Sequence, residues 1–175
     1  RGAGKRTGKN ASNVIVPGIF PDNFIVRNDI LDYFVEIEHF DKMVVRAIDS
    51  LKKLGQLDNT IVVVTSDHGM PFPRAKASLY DAGTHVPLAI RWPKGIRKPG
   101  RVSQALVNLS DLGPTFLQAA GISVPKMMTG KGLADIFRNK TKIRRESAFI
   151  AMERHAGCRE GGKGYPCRAI RTKDY

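Results

Sequence analysis

"NTIVVVTSDHGMPFPRAK" (Asn59–Lys76) decides the fold. From Thr60 to Ser66 the run is apolar and β-branched without alternation, as a strand covered on both faces of a parallel or mixed sheet requires. It ends abruptly in Asp67 and His68, and Gly69, Pro71 and Pro73 follow. Glycine permits a sharp turn, and the prolines stop the strand from continuing. In open α/β sheets ligands sit beyond the carboxyl ends of strands, which is where these two side chains fall. Carboxylate and imidazole both ligate divalent cations, and an adjacent pair on a tight turn can approach one ion. The plainer alternative is an aspartate capping the turn beside a solvated histidine. Two ligands do not complete a site, and spacing alone names no metal.

Upstream, Ile30, Phe34, Ile37, Val44, Ile48 and Leu51 recur at three- and four-residue intervals, which predicts a helix from Asn28 to Leu54. Asn28 or Asp29 suits its start, and Gly55 suits the left-handed turn that ends it. Asp41 falls within the apolar face and is expected to be a buried, satisfied acid. Downstream, "HVPLAIRWP" predicts the next strand, and "RVSQALVNLSDLGPTFLQAAG" a short strand and then a helix that starts at "SD". "MTGKGLADIFRNK" predicts a short helix, and "ESAFIAME" and "YPCRAIRTKDY" two strands around the loop "RHAGCREGGKG". Helices alternate with strands, so the class is α/β.

The chain has 175 residues and is 42% hydrophobic, enough for a core of its own. Lysines and arginines number 29 against 16 acids, a formal charge of +13. That surplus favours polyanions, yet the basic runs "RGAGKRTGK", "RWPKGIRKPGR" and "RNKTKIRR" lie among loop-forming residues. No nucleic-acid recognition motif accompanies them, and no nucleic-acid partner is expected. No apolar run approaches the ~20 residues of a membrane span. Cys158 and Cys167 are too few for a disulfide framework or a zinc ribbon; one bridge or two thiols both remain open. The chain opens on Arg1 and stops at "RAIRTKDY", so a piece of something longer is expected. Lys76 follows His68 by eight positions, where its charge would neutralise an anionic phosphate or sulfate; a lysine taken alone is most often a surface lysine.

"LGQLDNTIVVVTSDHG", "KASLYDAGTHVPLAIRWP" and the preceding helix "DYFVEIEHFDKMVVRAIDSLKKLG" together resemble the carboxyl-terminal half of the sulfatase family, within the alkaline phosphatase superfamily. "MPFPRAKASLYDAGT" and "MERHAGCREGGKGYPCRAIRT" further resemble its heparan N-sulfatase branch. The resemblance implies a mixed sheet flanked by helices, with residues 1–125 in the catalytic domain and 126–175 opening a smaller subdomain. It implies that Asp67 and His68 bind a divalent cation, calcium first and manganese or another transition ion second. Lys76, in the pattern K-x-x-x-Y-x-x-G with Tyr80 and Gly83, would contact the sulfate catalytically. Glu153, Arg154 and His155 would line the sugar pocket; a loop held by its own salt bridges is the alternative.

By the same resemblance the substrate is a sulfated small molecule or glycan, and the complete protein is periplasmic or secreted. Two departures matter. His68 stands where sulfatases most often have asparagine, which brings in transition ions and, as a runner-up, phosphodiester or phosphonate hydrolases of the same superfamily. The family's nucleophile, a formylglycine made within C/S-x-P/A-x-R, and the paired aspartates that complete the metal site are by the resemblance expected ahead of this chain. The isolated chain is therefore expected to be inactive, and a basic binding module without chemistry is the non-enzymatic alternative.

Overall fold

The computed structural model describes residues 2, 7–139, 145–153 and 166–174. The chain divides into two compact units, one up to Asp58 and one from Asn59 onward.

The first unit is built on the 30-residue helix α1, Phe24–Lys53. It starts earlier than Asn28 because Asn23 supplies the cap, its side chain accepting from the Val26 N–H. The helix closes in a Schellman motif. Gly55, at φ 66°, donates to the Lys52 carbonyl, and Gln56 donates to that of Leu51. Arg27 ties the incoming loop to the first turn. Its guanidinium grips both Asp22 carboxylate oxygens, at 2.5 and 2.7 Å, and donates to the carbonyls of Ala11, Ser12 and Val14. Hydrogen bonding to Arg27 holds the Asp22 carboxyl below the usual carboxylate range and raises the guanidinium in turn. Ile30 and Leu31 are buried, whereas Phe34, Ile37 and Phe40 further along the helix are exposed. Asp41 is exposed as well, contrary to the expected buried acid, because in this unit only the early turns of the helix are covered.

The second unit pairs β1, Val62–Thr65, with β2, Leu88–Arg91, antiparallel in the register Val62↔Arg91 to Thr65↔Leu88. All four β1 residues are half-buried, so the cover on both faces expected from the apolar run is only partial among the described residues. Two short helices, α2 (Asp81–Thr84) and α4 (Ala134–Phe137), flank the eight-residue α3 (Leu112–Ala119) in chain order. The strand expected before α3 is instead extended chain without a ladder, followed by a 3-10 turn, Leu109–Asp111. Its capping box joins Asn108 to Asp111, so the helical segment begins slightly before "SD". The hairpin β3–β4, Ser147–Met152 with Cys167–Thr172, forms a second antiparallel pair in the register Ser147↔Thr172 to Met152↔Cys167.

Asp111 organises this unit. Fully buried, it accepts from the backbone N–H groups of Asn108 and Lys131 and from the Arg145 guanidinium at 2.9 Å. Thr115 donates to the Asp111 carbonyl and accepts from the Leu133 N–H, which completes the junction of α3 with the chain entering α4. Leu133 and Phe137 fill the apolar side, and Phe137 meets Trp92 edge-on, with ring centroids 5.7 Å apart.

Candidate active site

The chain leaves β1 at Thr65 and delivers Asp67 and His68 within three residues. Thr65 donates to the Pro87 carbonyl at 2.8 Å, which binds this strand end to the start of β2. Ser66 donates to the His68 carbonyl at 2.7 Å and so tightens the turn. Asp67 is largely exposed and His68 half-buried.

The proton on His68 follows from its neighbours. Nδ1 lies 2.7 Å from the Gly69 carbonyl, which is an acceptor only, so Nδ1 carries a hydrogen. Nε2 therefore keeps its lone pair in the neutral ring, and it lies 3.5 Å from Asp67 Oδ2. At that separation the carboxylate oxygen and the ring nitrogen can share one cation. Metal-ligating histidines are oriented in this way, through a hydrogen bond from the other ring nitrogen. Bonds of about 2.0–2.6 Å to one ion are compatible with that separation. The donor set fits a divalent cation. Among the described residues no group of three or more His, Cys, Asp or Glu that could hold a metal ion assembles.

Lys76 is held by a frame that the sequence pattern only hinted at. Its N–H donates to the Met70 carbonyl at 3.0 Å, and the Ala75 N–H donates to that of Phe72. Gly69 donates to the Gly83 carbonyl at 3.0 Å, so the metal-side turn and α2 are in backbone contact. A Cβ on Gly69 would lie 1.8 Å from the Ala82 oxygen, and one on Gly83 would lie 2.2 Å from that of Ala75. Only glycine fits at either place. Ala75 is fully buried beneath the frame, and Ser78 bonds the carbonyls of Arg74 and Ala75. Arg74 and Ala77 adopt positive φ, 62° and 58°, on either side of Lys76. The lysine side chain itself is exposed, as is Tyr80 of the same pattern.

Glu153 immediately follows β3 and is exposed, its carboxylate accepting from Arg168 Nη2 at 2.6 Å. Arg154 and His155 lie outside the described residues, as does Cys158. Sequence reasoning missed Arg168 and Arg171 of β4. Arg171 approaches Asp81 of α2 at 3.5 Å, and the same carboxylate lies 3.4 Å from His85 Nδ1. The signal was present in the alternation "CRAIRT", which puts the two arginines on opposite faces of one strand.

An acid and an imidazole at a strand end, followed by a lysine in a framed turn, stand here in an alkaline-phosphatase-like α/β fold. A sequence model of the sulfatase family matches residues 3–122, and the chain belongs to that family. It is 35% identical over 113 residues to human N-sulphoglucosamine sulphohydrolase, a match covering 65% of this chain and 22% of that one. It is 37% identical over 151 residues to an N-acetylglucosamine-6-O-sulfatase of Bacteroides thetaiotaomicron, covering 82% of this chain and 26% of that one.

Among solved structures, a protein in complex with its substrate D-glucosamine-2-N,6-O-disulfate superposes with TM-score 0.72 at 30% identity, covering 89% of this chain and 33% of that one. The phosphonate monoester hydrolase of Silicibacter pomeroyi superposes with TM-score 0.66 at 25% identity, covering 89% and 32%. The chain thus spans between about a fifth and a third of the length of these relatives.

Proposed function

We propose that this chain is part of a sulfatase that hydrolyses sulfate esters or N-sulfate groups on a sulfated glycan. The placement of Asp67 and His68 at the end of β1 carries the reading, because a carboxylate and an imidazole 3.5 Å apart can share one divalent cation where open α/β sheets present ligands. Asp67 and His68 hold the cation, which when bound neutralises charge on the sulfate oxygens. Calcium is the first candidate, and the imidazole brings manganese or another transition ion into contention. Lys76 approaches the same sulfate from its frame and stabilises charge that builds on the oxygens as the S–O or S–N bond breaks. Glu153, with Arg154 and His155, lines the sugar pocket, and the hairpin that carries Glu153 belongs to the smaller subdomain. The formylglycine nucleophile comes from outside these 175 residues; Cys167–Arg171, which fits C/S-x-P/A-x-R by letter, is committed to the ladder of the β3–β4 hairpin. The names of the relatives, glucosamine sulfatases among them, support a sulfated amino sugar as substrate.

Export to the periplasm or beyond suits such a substrate; a Drosophila relative, 33% identical over 116 residues, is named an extracellular sulfatase. No helix among the described residues is long and apolar enough to cross a membrane. A second reading, phosphonate monoester hydrolysis, is favoured by the Asp–His pair and by the Silicibacter structure.

The test uses the full-length protein that contains this chain. Asp67→Ala should lose the divalent ion by elemental analysis and nearly all turnover of 4-nitrophenyl sulfate, and Lys76→Ala should keep the ion and lose turnover. Unchanged metal content in Asp67→Ala would refute the cation assignment. A rate on a phenyl phosphonate monoester above that on the sulfate would favour the second reading.

A further inference from the structure

β4 carries two arginines that project from opposite faces and end on different parts of the proposed site. Arg171 pairs across the hairpin with Ala148, which is buried, so this face looks into the unit. From there Nη2 reaches Asp81 Oδ1 at 3.5 Å, on the helix whose Gly83 bonds the metal-side turn. Arg168 pairs with Ala151 on the exposed face, beside the exposed pair Phe149 and Ile170. Its Nη2 holds Glu153 at 2.6 Å, while Nη1 donates to the Cys167 carbonyl at 2.9 Å and the Met152 carbonyl at 3.4 Å. That is a strut across the loop end of the hairpin, and the rigid fork of a guanidinium makes it in a way a lysine ammonium would not.

We infer that Arg168 and Arg171 are positioning residues that fix the distance between the sulfate-binding frame and the sugar pocket. Arg171 fastens the hairpin to the Lys76 frame through Asp81, and Arg168 sets where Glu153 stands at the hairpin's far end. The inference rests on the proposed function, since it takes Lys76 for the sulfate and Glu153 for the sugar. Its consequence is selective: a substrate that engages both ends depends on the spacing, whereas an aryl sulfate that engages only the sulfate end does not. Both arginines are part-exposed, and such pairs contribute little to stability, so substitutions alter geometry without unfolding the chain.

The experiment compares 4-nitrophenyl sulfate with D-glucosamine-2-N,6-O-disulfate in the full-length enzyme carrying Arg168→Met, Arg171→Met, Asp81→Asn or the conservative Arg168→Lys and Arg171→Lys. Expected is a loss of roughly tenfold in kcat/KM on the sugar, mainly in KM, with the aryl sulfate within about twofold of wild type. Asp81→Asn should match Arg171→Met, and the lysine variants should fall between wild type and methionine. Equal losses on both substrates in the lysine variants and in Asp81→Asn, or no selective loss on the sugar, would overturn the inference. A wild-type enzyme that cleaves the aryl sulfate but shows neither pattern refutes the positioning role alone. One that cleaves no sulfate at all refutes the parent reading, and this inference with it.

Discussion

Gly83 shows how much of the site depends on what a residue lacks. Its Cα faces the backbone of the Lys76 frame so closely that a Cβ would lie 2.2 Å from the Ala75 oxygen and 2.7 Å from that of Ser78. Both are main-chain atoms of a frame that already holds Arg74 and Ala77 at positive φ, so neither can yield without moving Lys76. Gly83→Ala is expected to destabilise the chain by about 1–3 kcal/mol through overpacking. In the full-length enzyme it should also cost on the order of a hundredfold in kcat/KM on an aryl sulfate, as a displacement of about 1 Å at a charge-stabilising group would. Urea unfolding and aryl sulfate kinetics on the same preparation check both effects, and an alanine variant of wild-type stability and rate would show that the frame is not rigid. His68 teaches a related lesson. Its residue type pointed to a ligand, but only the Gly69 carbonyl assigns the ring proton and leaves Nε2 toward Asp67.

At the scale of elements, the sequence was legible wherever one local signal dominated. The helical spacing from Ile30 to Leu51 and the glycine after it fixed the body and the end of α1, and the apolar runs in "ESAFIAME" and "YPCRAIRTKDY", set around a glycine-rich stretch, located both strands of the hairpin. Where two signals competed, the reading failed. Asn28 and Asp29 looked like caps, but Asn23 lies just ahead of Phe24 and takes the role. The extended run after Arg101 had strand-like composition and found no ladder partner. Asp111 was read only as a helix start, because two of the groups it gathers, the Lys131 N–H and the Arg145 guanidinium, come from 20 and 34 positions along the chain. Its pairing with Arg145, itself almost buried, gives a prediction. Asp111→Ala leaves that guanidinium without its carboxylate and frees two backbone N–H groups, and it should cost about 3–5 kcal/mol. A change of less than about 1 kcal/mol in chemical unfolding would show that water replaces the carboxylate and that the node is not structural.

At the scale of the whole molecule, the proposed reading gives the chain a portion of a catalytic apparatus. Asp67 and His68 offer two ligands, and among the described residues no third carboxylate, thiolate or imidazole joins them. Lys76 is framed, Glu153 is strutted, and the stretch that fits C/S-x-P/A-x-R, Cys167–Arg171, is a paired strand of the hairpin. Apolar surface stands open along α1 at Ile37, Phe40 and Met43, and on the hairpin at Phe149 and Ile170. Burying a large apolar side chain contributes about 1.5–3 kcal/mol, so these faces are favourable to cover. These facts lead to one expectation. The 175 residues alone should turn over no aryl sulfate at any concentration of calcium or manganese, because a charge-stabilising end without a nucleophile lowers no barrier that water could cross at a useful rate. A divalent ion should still bind weakly through Asp67 and His68, and Asp67→Ala should abolish that binding. Titration calorimetry with manganese and a prolonged assay with 4-nitrophenyl sulfate decide between the outcomes. Repeated turnover by the isolated chain would mean that it contains a nucleophile of its own, and the division of labour argued for Asp67, His68 and Lys76 would have to be redrawn around it.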